Sequence, residues 1–480
     1  MKSTKIVATI GPATETEETI GKLIDAGMNV ARFNTKHSTP EWHRERMLRV
    51  RKVAREKGVA VGILLDLQGP EIRINTPHQT VFQVEEGDSV AVLPDGTEFD
   101  GEEALFIPKV VVDALQIDSH VLIDDGLGEF IVTDKDAHSV TITALSSFPV
   151  SHRKTLNTPG TNINMPSLIE ADFAQLEGLD PTLIDFVGLS FVRDEHDIAV
   201  LRSELEKRNI TAQVVAKIEN QKAIDNIESI VVATDVVMIA RGDLAVEVPF
   251  EQLTHWQKVI IQLCRVHARP VIVATQMLKS MVENPRPTRA EVSDVANAVY
   301  DGTDAIMLSE ETTIGRYPVK AVKTQSQIAS YNEQFVEPQQ LNVRKRSTAA
   351  YITEYAVKIL EESRKPENTL RIDHIVVLTE SGKTARLLTR YRPHQTVHVL
   401  TSTQSTYDKL SVQYGVTPHK IVLPNNEQLE SSHDLILLFE SLGIAAKGES
   451  IMLVHGTHWK IPGLTNTLSV LTVPEKDTHV

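Results

Sequence analysis

The chain has 480 residues, 41% of them hydrophobic and 24% charged, an ordinary globular composition with room for about three domains. Its net charge of −15 argues against a nucleic-acid or anionic-membrane surface, so an anionic substrate must be held by locally placed cations. The single cysteine, Cys264, excludes an intramolecular disulfide and fits a reducing cytosol, and no run approaches the roughly 20 apolar residues of a membrane helix.

The opening residues, Met1-Lys2-Ser3-Thr4-Lys5-Ile6-Val7, lack the apolar stretch of a signal peptide, and a cytoplasmic protein is expected. Through residue 335, short β-branched runs alternate with helical patterns, the mark of βα units and a parallel sheet. The runs are Lys5–Gly11, Val30–Asn34, Val61–Gln68, Asp185–Phe191, Ala212–Asn220, Val236–Leu244, Pro270–Met277 and Asp304–Glu311. Between them lie amphipathic segments such as Glu17–Ala26, Glu41–Lys57, Glu195–Arg208, Gln252–His267 and Arg289–Tyr300. Eight such units predict a (β/α)8 TIM barrel spanning residues 1–71 and 164–336. Cys264 sits in one of the helical patterns, where burial as a packing residue is expected.

The connection from Gln68 to Asp185 is too long for a βα loop. Val81–Val84, Ser89–Leu93, Val121–Ile123, Phe130–Thr133 and Ser139–Ala144 read as short strands between turns such as Pro94-Asp95-Gly96 and Asp124-Asp125-Gly126. A small inserted β-barrel over residues 72–163 is predicted, placed where it can close as a lid. After a linker with Glu337-Pro338-Gln339-Gln340 and Arg344-Lys345-Arg346 the pattern restarts. A helix at Tyr351–Ser363 and strands at His374–Thr379, Val397–Leu400, Ser450–Val454 and Leu468–Val473 predict a doubly wound α/β domain over residues 337–480.

The most informative stretch is Val214–Asn220, an apolar run that turns charged at its end. Lys217 and Glu219 are two apart, so a strand points both to one face. Taken alone, this is equally an ion pair or a phosphate-handling ammonium beside a metal-ligating carboxylate. The other strands tip the balance. Nearly all end on polar residues: Thr9, Arg32 and Asn34, Asp66, Ser190, Arg241 and Asp243, Thr275, Ser309 and Glu311. In such barrels the active site lies at the carboxyl ends of the strands, so these residues form one ring.

The motifs Thr4–Pro12, Asn29–Asn34, Leu65–Arg73, Lys217–Asn220, Ala240–Leu244, Ala274–Leu278 and Pro287–Glu291, in this order, resemble the pyruvate kinase family over essentially the whole chain. The resemblance implies phosphoryl transfer from phosphoenolpyruvate to ADP, giving pyruvate and ATP in the last step of glycolysis. It implies that Glu219 and Asp243 share a divalent ion, Mg²⁺ or Mn²⁺, which hard carboxylates suit. It gives Lys217 and Arg32 the moving phosphoryl group, and Ala240, Gly242 and Asp243 the substrate. Thr275 falls where the enolate is protonated, by a water relay with Ser309 and Glu311. Pro12, Asn34, His37 and Arg73 match nucleotide contacts. A homotetramer is inherited as an expectation.

The sequence departs from the family at Asn34-Thr35-Lys36-His37-Ser38, where a serine usually helps bind K⁺ together with residues matching Asn34, Asp66 and Leu67. Lys36 is expected to place its ammonium there, partnered by Asp66, making K⁺ unnecessary. Glu71 competes with that reading, because K⁺-independent relatives often carry lysine at its position. Glu310, in Ser309-Glu310-Glu311, stands where glycine or alanine is common. In the C-terminal domain, Thr379-Glu380-Ser381-Gly382-Lys383-Thr384 follows a strand and opens a helix, which makes a phosphate nest. It and Gly456–Thr467 match the family's effector region, so activation by a phosphorylated metabolite is expected. Two other readings share parts of this pattern: a metal-dependent lyase or aldolase acting on pyruvate enolates, and a non-catalytic metabolite sensor.

Overall fold

A computed structural model describes residues 2–338, 341–343, 347–422, 432–457 and 463–475. Eight parallel strands close into a barrel. In chain order they are Lys5–Thr9, Val30–Asn34, Gly62–Asp66, Phe186–Leu189, Gln213–Ile218, Val236–Ala240, Val271–Ala274 and Ala305–Leu308, and the last pairs with the first. They are called strands one to eight below. Helices such as Glu17–Ala26, Pro40–Lys57, Glu195–Lys207, Leu253–Val266 and Arg289–Asp301 cover the outside. Their apolar stripes meet the outward residues of the strands in one large core, and Cys264 lies buried within it.

Side chains alternate along each strand, so a second set faces the barrel axis. At the amino-terminal end this inner set is apolar: Val7, Val30, Leu64, Phe186, Val215, Val236, Ile272 and Ala305 pack together. Val412, from the C-terminal domain, joins that cluster and plugs the barrel floor. Two residues further along the same faces the inner set turns polar, at Thr9, Arg32, Asp66 and Lys217. The barrel is thus an apolar plug below and a charged cup above.

The inserted segment differs from the expected small barrel. Its strands form an open six-stranded sheet, in the order Leu156–Asn157, His120–Ile123, Gly128–Lys135, Val140–Ala144, Ser89–Pro94 and Ala104–Ile107. A separate ladder pairs Phe82–Val84 with Phe148–Val150. One sheet edge is only two residues long, too short to tilt and stagger into closure. The unit nevertheless has its own core, running from Ile74 to Leu156.

The C-terminal sheet orders Val416–Lys420, Val397–Thr401, His374–Leu378, Ser450–Gly456 and Thr465–Thr472, parallel except for the last. Val416–Lys420 is an edge strand absent from the sequence-based expectation, because Pro418 argues against a strand; an edge tolerates proline. The expected linker residues Gln339, Gln340 and Arg344-Lys345-Arg346 lie outside the described residues.

A buried ion pair welds this domain to the barrel floor. Arg392 Nη2 stands 2.9 Å from Asp304 Oδ2, with both side chains at most 3% exposed. Asp304 also accepts the backbone N–H groups of Val271 and Tyr414, one from each unit. Cutting such a pair strands a buried charge. Arg392→Ala should therefore cost about 3–5 kcal/mol of stability, measured by denaturant unfolding. A loss below about 1 kcal/mol would show that the seam is held by apolar packing instead.

Candidate active site

The charged cup is one continuous network. Arg32, on strand two, places Nε 2.7 Å and Nη2 2.6 Å from Asp66 Oδ2, and its Nη1 donates to Thr9 Oγ1 at 3.0 Å. Lys217 Nζ donates to Ser190 Oγ at 2.7 Å and lies 2.8 Å from Glu219 Oε1 and 3.4 Å from Asp66 Oδ1. The other Glu219 oxygen accepts the backbone N–H of Phe191 at 2.6 Å. Ser190 donates onward to the Leu67 carbonyl. Lys217 and Glu219 therefore touch each other.

Burial by itself would discharge these groups, yet the partners reverse it. Burial works to lower the Lys217 ammonium, but Asp66 and Glu219 outweigh it and hold it above the ordinary lysine value. Burial works to raise Asp66, but Lys217 and Arg32 keep its acid below the usual carboxylate range.

Asp243 is the exception. It is expected on strand six, but that strand ends at Ala240 and Asp243 lies in the first turn of the helix Arg241–Glu247. An acid is favoured at a helix start, which explains the early break. Burial first, and then the Glu219 charge, push its acid up to about 6. Among the described residues its carboxylate accepts no hydrogen bond, whereas Glu219 and Asp66 are held on several sides. Arg32 and Lys217 carry two positive charges against three carboxylates, Asp66, Glu219 and Asp243, so the cup is one cation short.

The turn after strand seven is strained. Thr275 has φ 68° and Gln276 φ 54°, the left-handed region, which a β-branched residue rarely enters. The strain brings Thr275 Oγ1 within 2.7 Å of the Gly242 N–H, which donates to it. Glu311 is buried and spends both oxygens on backbone N–H groups, those of Ser309 and Leu278. It therefore fastens the Thr275 turn to strand eight.

The remaining expected residues spread around the rim. Asn34 accepts the Lys36 backbone N–H at 3.2 Å, while Pro12 and His37 are exposed. The expected Lys36–Asp66 pair is not formed: Lys36 Nζ stands 2.8 Å from Glu71 Oε1 instead. Arg73 holds the other Glu71 oxygen from 2.8 Å. Asp66 is already paired with Arg32 and Lys217, which leaves the less buried Glu71 as the partner within reach. Lys36 still acts on Asp66 and Asp243 through its field. Glu310 pairs with Lys279 on the surface, away from the cup. Ser190 stands in the sequence only as a polar strand end; its contact with Lys217 makes it part of the site. A cavity of about 400 Å³ separates the cup from the inserted unit, with Asp243 and Glu247 on one wall and Asp125 and Asn157 on the other.

The expected effector loop lies far along the chain, in the C-terminal domain. Gly382, at φ 72°, donates its N–H to Thr379 Oγ1, and Lys383 opens the following helix. Thr384 and Thr465 share a buried hydroxyl contact at 2.6 Å, which joins this loop to the second one. Ser381 and Lys383 are exposed beside it. His458-Trp459-Lys460-Ile461-Pro462 of the second loop lie outside the described residues.

Comparison with known proteins agrees with this geometry. Residues 1–322 match the family model for the pyruvate kinase barrel domain, and residues 358–471 match that for the pyruvate kinase alpha/beta domain. The chain belongs to the pyruvate kinase family. A pyruvate kinase from Staphylococcus aureus strain MRSA252 is 38% identical over 99% of this chain and 81% of the relative. That of strain USA300 is 37% identical over the same spans. The solved structure of a pyruvate kinase from Cryptosporidium parvum superposes with a TM-score of 0.90 at 30% identity, covering 98% of this chain and 96% of that one. Pyruvate kinases are phosphotransferases, and this chain is one of them. Among the described residues, no helix is long and apolar enough to cross a membrane.

The uncompensated carboxylate gives a prediction. An acid whose native value is raised from 3.8 to about 6 opposes folding once ionised, and the penalty grows as pH rises between those values. With a chelator present, Asp243→Asn should therefore stabilise the protein by about 1–2 kcal/mol at pH 8, with roughly half that gain at pH 5. Thermal unfolding at the two pH values measures it. A destabilised variant at pH 8 would show that Asp243 has a native cationic partner.

Proposed function

We propose that this enzyme transfers the phosphoryl group of phosphoenolpyruvate to ADP, with a divalent ion and without K⁺. The observation that carries the reading is the Lys217 ammonium, fixed on the cup floor by Ser190, Asp66 and Glu219, with the unpaired Asp243 beside it.

Phosphoryl transfer demands positioning and charge neutralisation more than covalent chemistry. Lys217 and Arg32 are the two buried cations that meet the phosphoryl oxygens. Lys217 then exchanges Glu219 for substrate, which frees a Glu219 oxygen. Glu219 and Asp243 fit Mg²⁺ or Mn²⁺: both offer hard oxygens, and Asp243 has no competing donor. Glu219 and Asp243 would hold such an ion, which would supply positive charge to the reacting anion.

Gly242 opens the helix where the substrate carboxylate would approach the backbone, its own N–H being spent on Thr275 Oγ1. A Cβ there would stand an ordinary 3.5 Å from Thr275 Oγ1, so the protein's own packing does not demand glycine. Close approach of a ligand does. Thr275, held near Gly242, is placed for the proton delivered to the enolate through water, with Ser309 and Glu311 fixing the turn rather than carrying the proton. Pro12, Asn34, His37 and Arg73 line the side from which the nucleotide enters.

Lys36 supports K⁺ independence, since its ammonium is tied down by Glu71 and acts on Asp66 and Asp243. In the C-terminal domain, the Thr379–Thr384 loop supports activation by a phosphorylated metabolite. The chain works as a cytoplasmic homotetramer in glycolysis, with residues 72–163 as its lid and 337–480 as its regulatory domain.

ATP formation from phosphoenolpyruvate and ADP tests the reaction, against release of pyruvate without ADP. Lys217→Ala should lower kcat by about 10²–10³. Replacing K⁺ by tetramethylammonium should leave the rate of the native enzyme within about twofold, while Lys36→Ser should make it respond to K⁺. A large loss for the native enzyme in tetramethylammonium would refute the role of Lys36 but not the transfer itself. Isothermal titration with a panel of sugar phosphates and AMP reads the effector loop: Ser381→Asp should abolish binding of whichever compound binds, by like-charge repulsion.

A further inference from the structure

One carboxylate on the cavity wall has no task in this scheme. Glu247 ends the helix Arg241–Glu247, four residues beyond Asp243, so both line the same cavity. Two like charges at that spacing weaken a helix, and both burial and Asp243 raise the Glu247 acid. Its side-chain bond among the described residues comes from the inserted unit: Asn157 Nδ2 donates to Glu247 Oε1 at 2.9 Å. Asn157 is no loose loop residue, because Leu156–Asn157 pairs in register with His120–Ile123. Gly126, in the turn after that strand, faces the same helix, where an added Cβ would stand 3.8 Å from Val246. The other side-chain bond across the cavity, Lys222 to Asn162 at 3.2 Å, joins two exposed residues and is screened by water.

We propose that Glu247 is a positioning residue which, through Asn157, holds the inserted unit over the cleft on the helix that also carries Asp243. Of the two side-chain bonds across the cavity among the described residues, the half-buried amide–carboxylate bond is the stronger, and enough to bias an open–closed equilibrium. Because metal ligand and latch share a seven-residue helix, the lid is held in register with the reacting groups rather than merely near them. The inference rests on the phosphoryl-transfer reading for its kinetic consequence but not for its structural one.

Asn157→Ala and Glu247→Ala should each lower kcat/KM for ADP by about tenfold, the free energy of one bond to a charged group. The double variant should be no worse than either single one, since both remove the same bond. Glu247→Gln keeps an acceptor oxygen and should stay within about threefold of the native enzyme. Hydrogen exchange without substrates should show faster exchange over His120–Ile123 and Leu156–Asn157 in both alanine variants. Additive losses in the double variant, or exchange unchanged in Asn157→Ala, would overturn the latch. A native enzyme that makes no ATP would overturn the reaction instead, and the exchange experiment would still decide the latch. If Glu247→Ala fails to fold, Asn157→Ala in the inserted unit decides the matter alone.

Discussion

Everything at the top of this barrel depends on a lysine ammonium held out of water by two carboxylates. Lys217 is buried, and so are Asp66 and Glu219. None of the three tolerates that environment alone, because the cost of burying an isolated charge far exceeds what packing returns. Lys217 keeps its charge because Asp66 and Glu219 outweigh the cost of burial. Arg32 extends the chain by one more cation and Ser190 by one hydroxyl. The ion pairs thus form one closed set.

The two additions to the barrel act on opposite ends of this arrangement. Below, the C-terminal domain contributes Val412 to the apolar plug and Arg392 to the Asp304 clamp. Rigidity is the purpose of that face, since charge at a barrel floor serves stability. Above, the inserted unit leaves a cavity over the cup and touches the helix that bears Asp243. A rigid floor beneath a covered cup suits a reaction that must exclude water.

How much of this is legible in the sequence follows from period and chemistry. The alternation within a strand is visible in the letters: Val30 and Arg32, Leu64 and Asp66, Val215 and Lys217 share faces two by two. Reading the polar member as a cup and the apolar member as a plug needs only that rule and the closed barrel. Chain direction fixes which end holds the site. The misses have equally local causes. Asp243 reads as a strand residue because Val236-Val237-Met238-Ile239-Ala240 runs on without a breaker, and a helix that starts on Arg241-Gly242 carries no strong cap signal. The inserted unit reads as closed because alternation reports strands and not their edges. Thr275 can be chosen by resemblance, but its left-handed backbone has no sequence signature, since the contacts that hold the turn come from Gly242 and Glu311, distant in the chain.

The Lys36 pairing is the most instructive miss, because the ammonium is found on the residue that counts against it in the sequence. A K⁺ ion brings one positive charge into a site and leaves again; a lysine brings the same charge on a tether. The difficulty with a tether is that the ammonium must not collapse onto the catalytic carboxylates. Glu71 solves this by holding Lys36 at 2.8 Å, while Arg73 takes the other Glu71 oxygen. Two cations share one anion, so the cluster keeps a net charge of +1, the charge of a monovalent ion, beside a cup that is one cation short. The Phe191 ring, 5.9 Å from the ammonium, walls off one side, and its backbone N–H meanwhile fixes Glu219. Glu71, which in the sequence alone counts against a built-in cation, is the residue that pairs with Lys36.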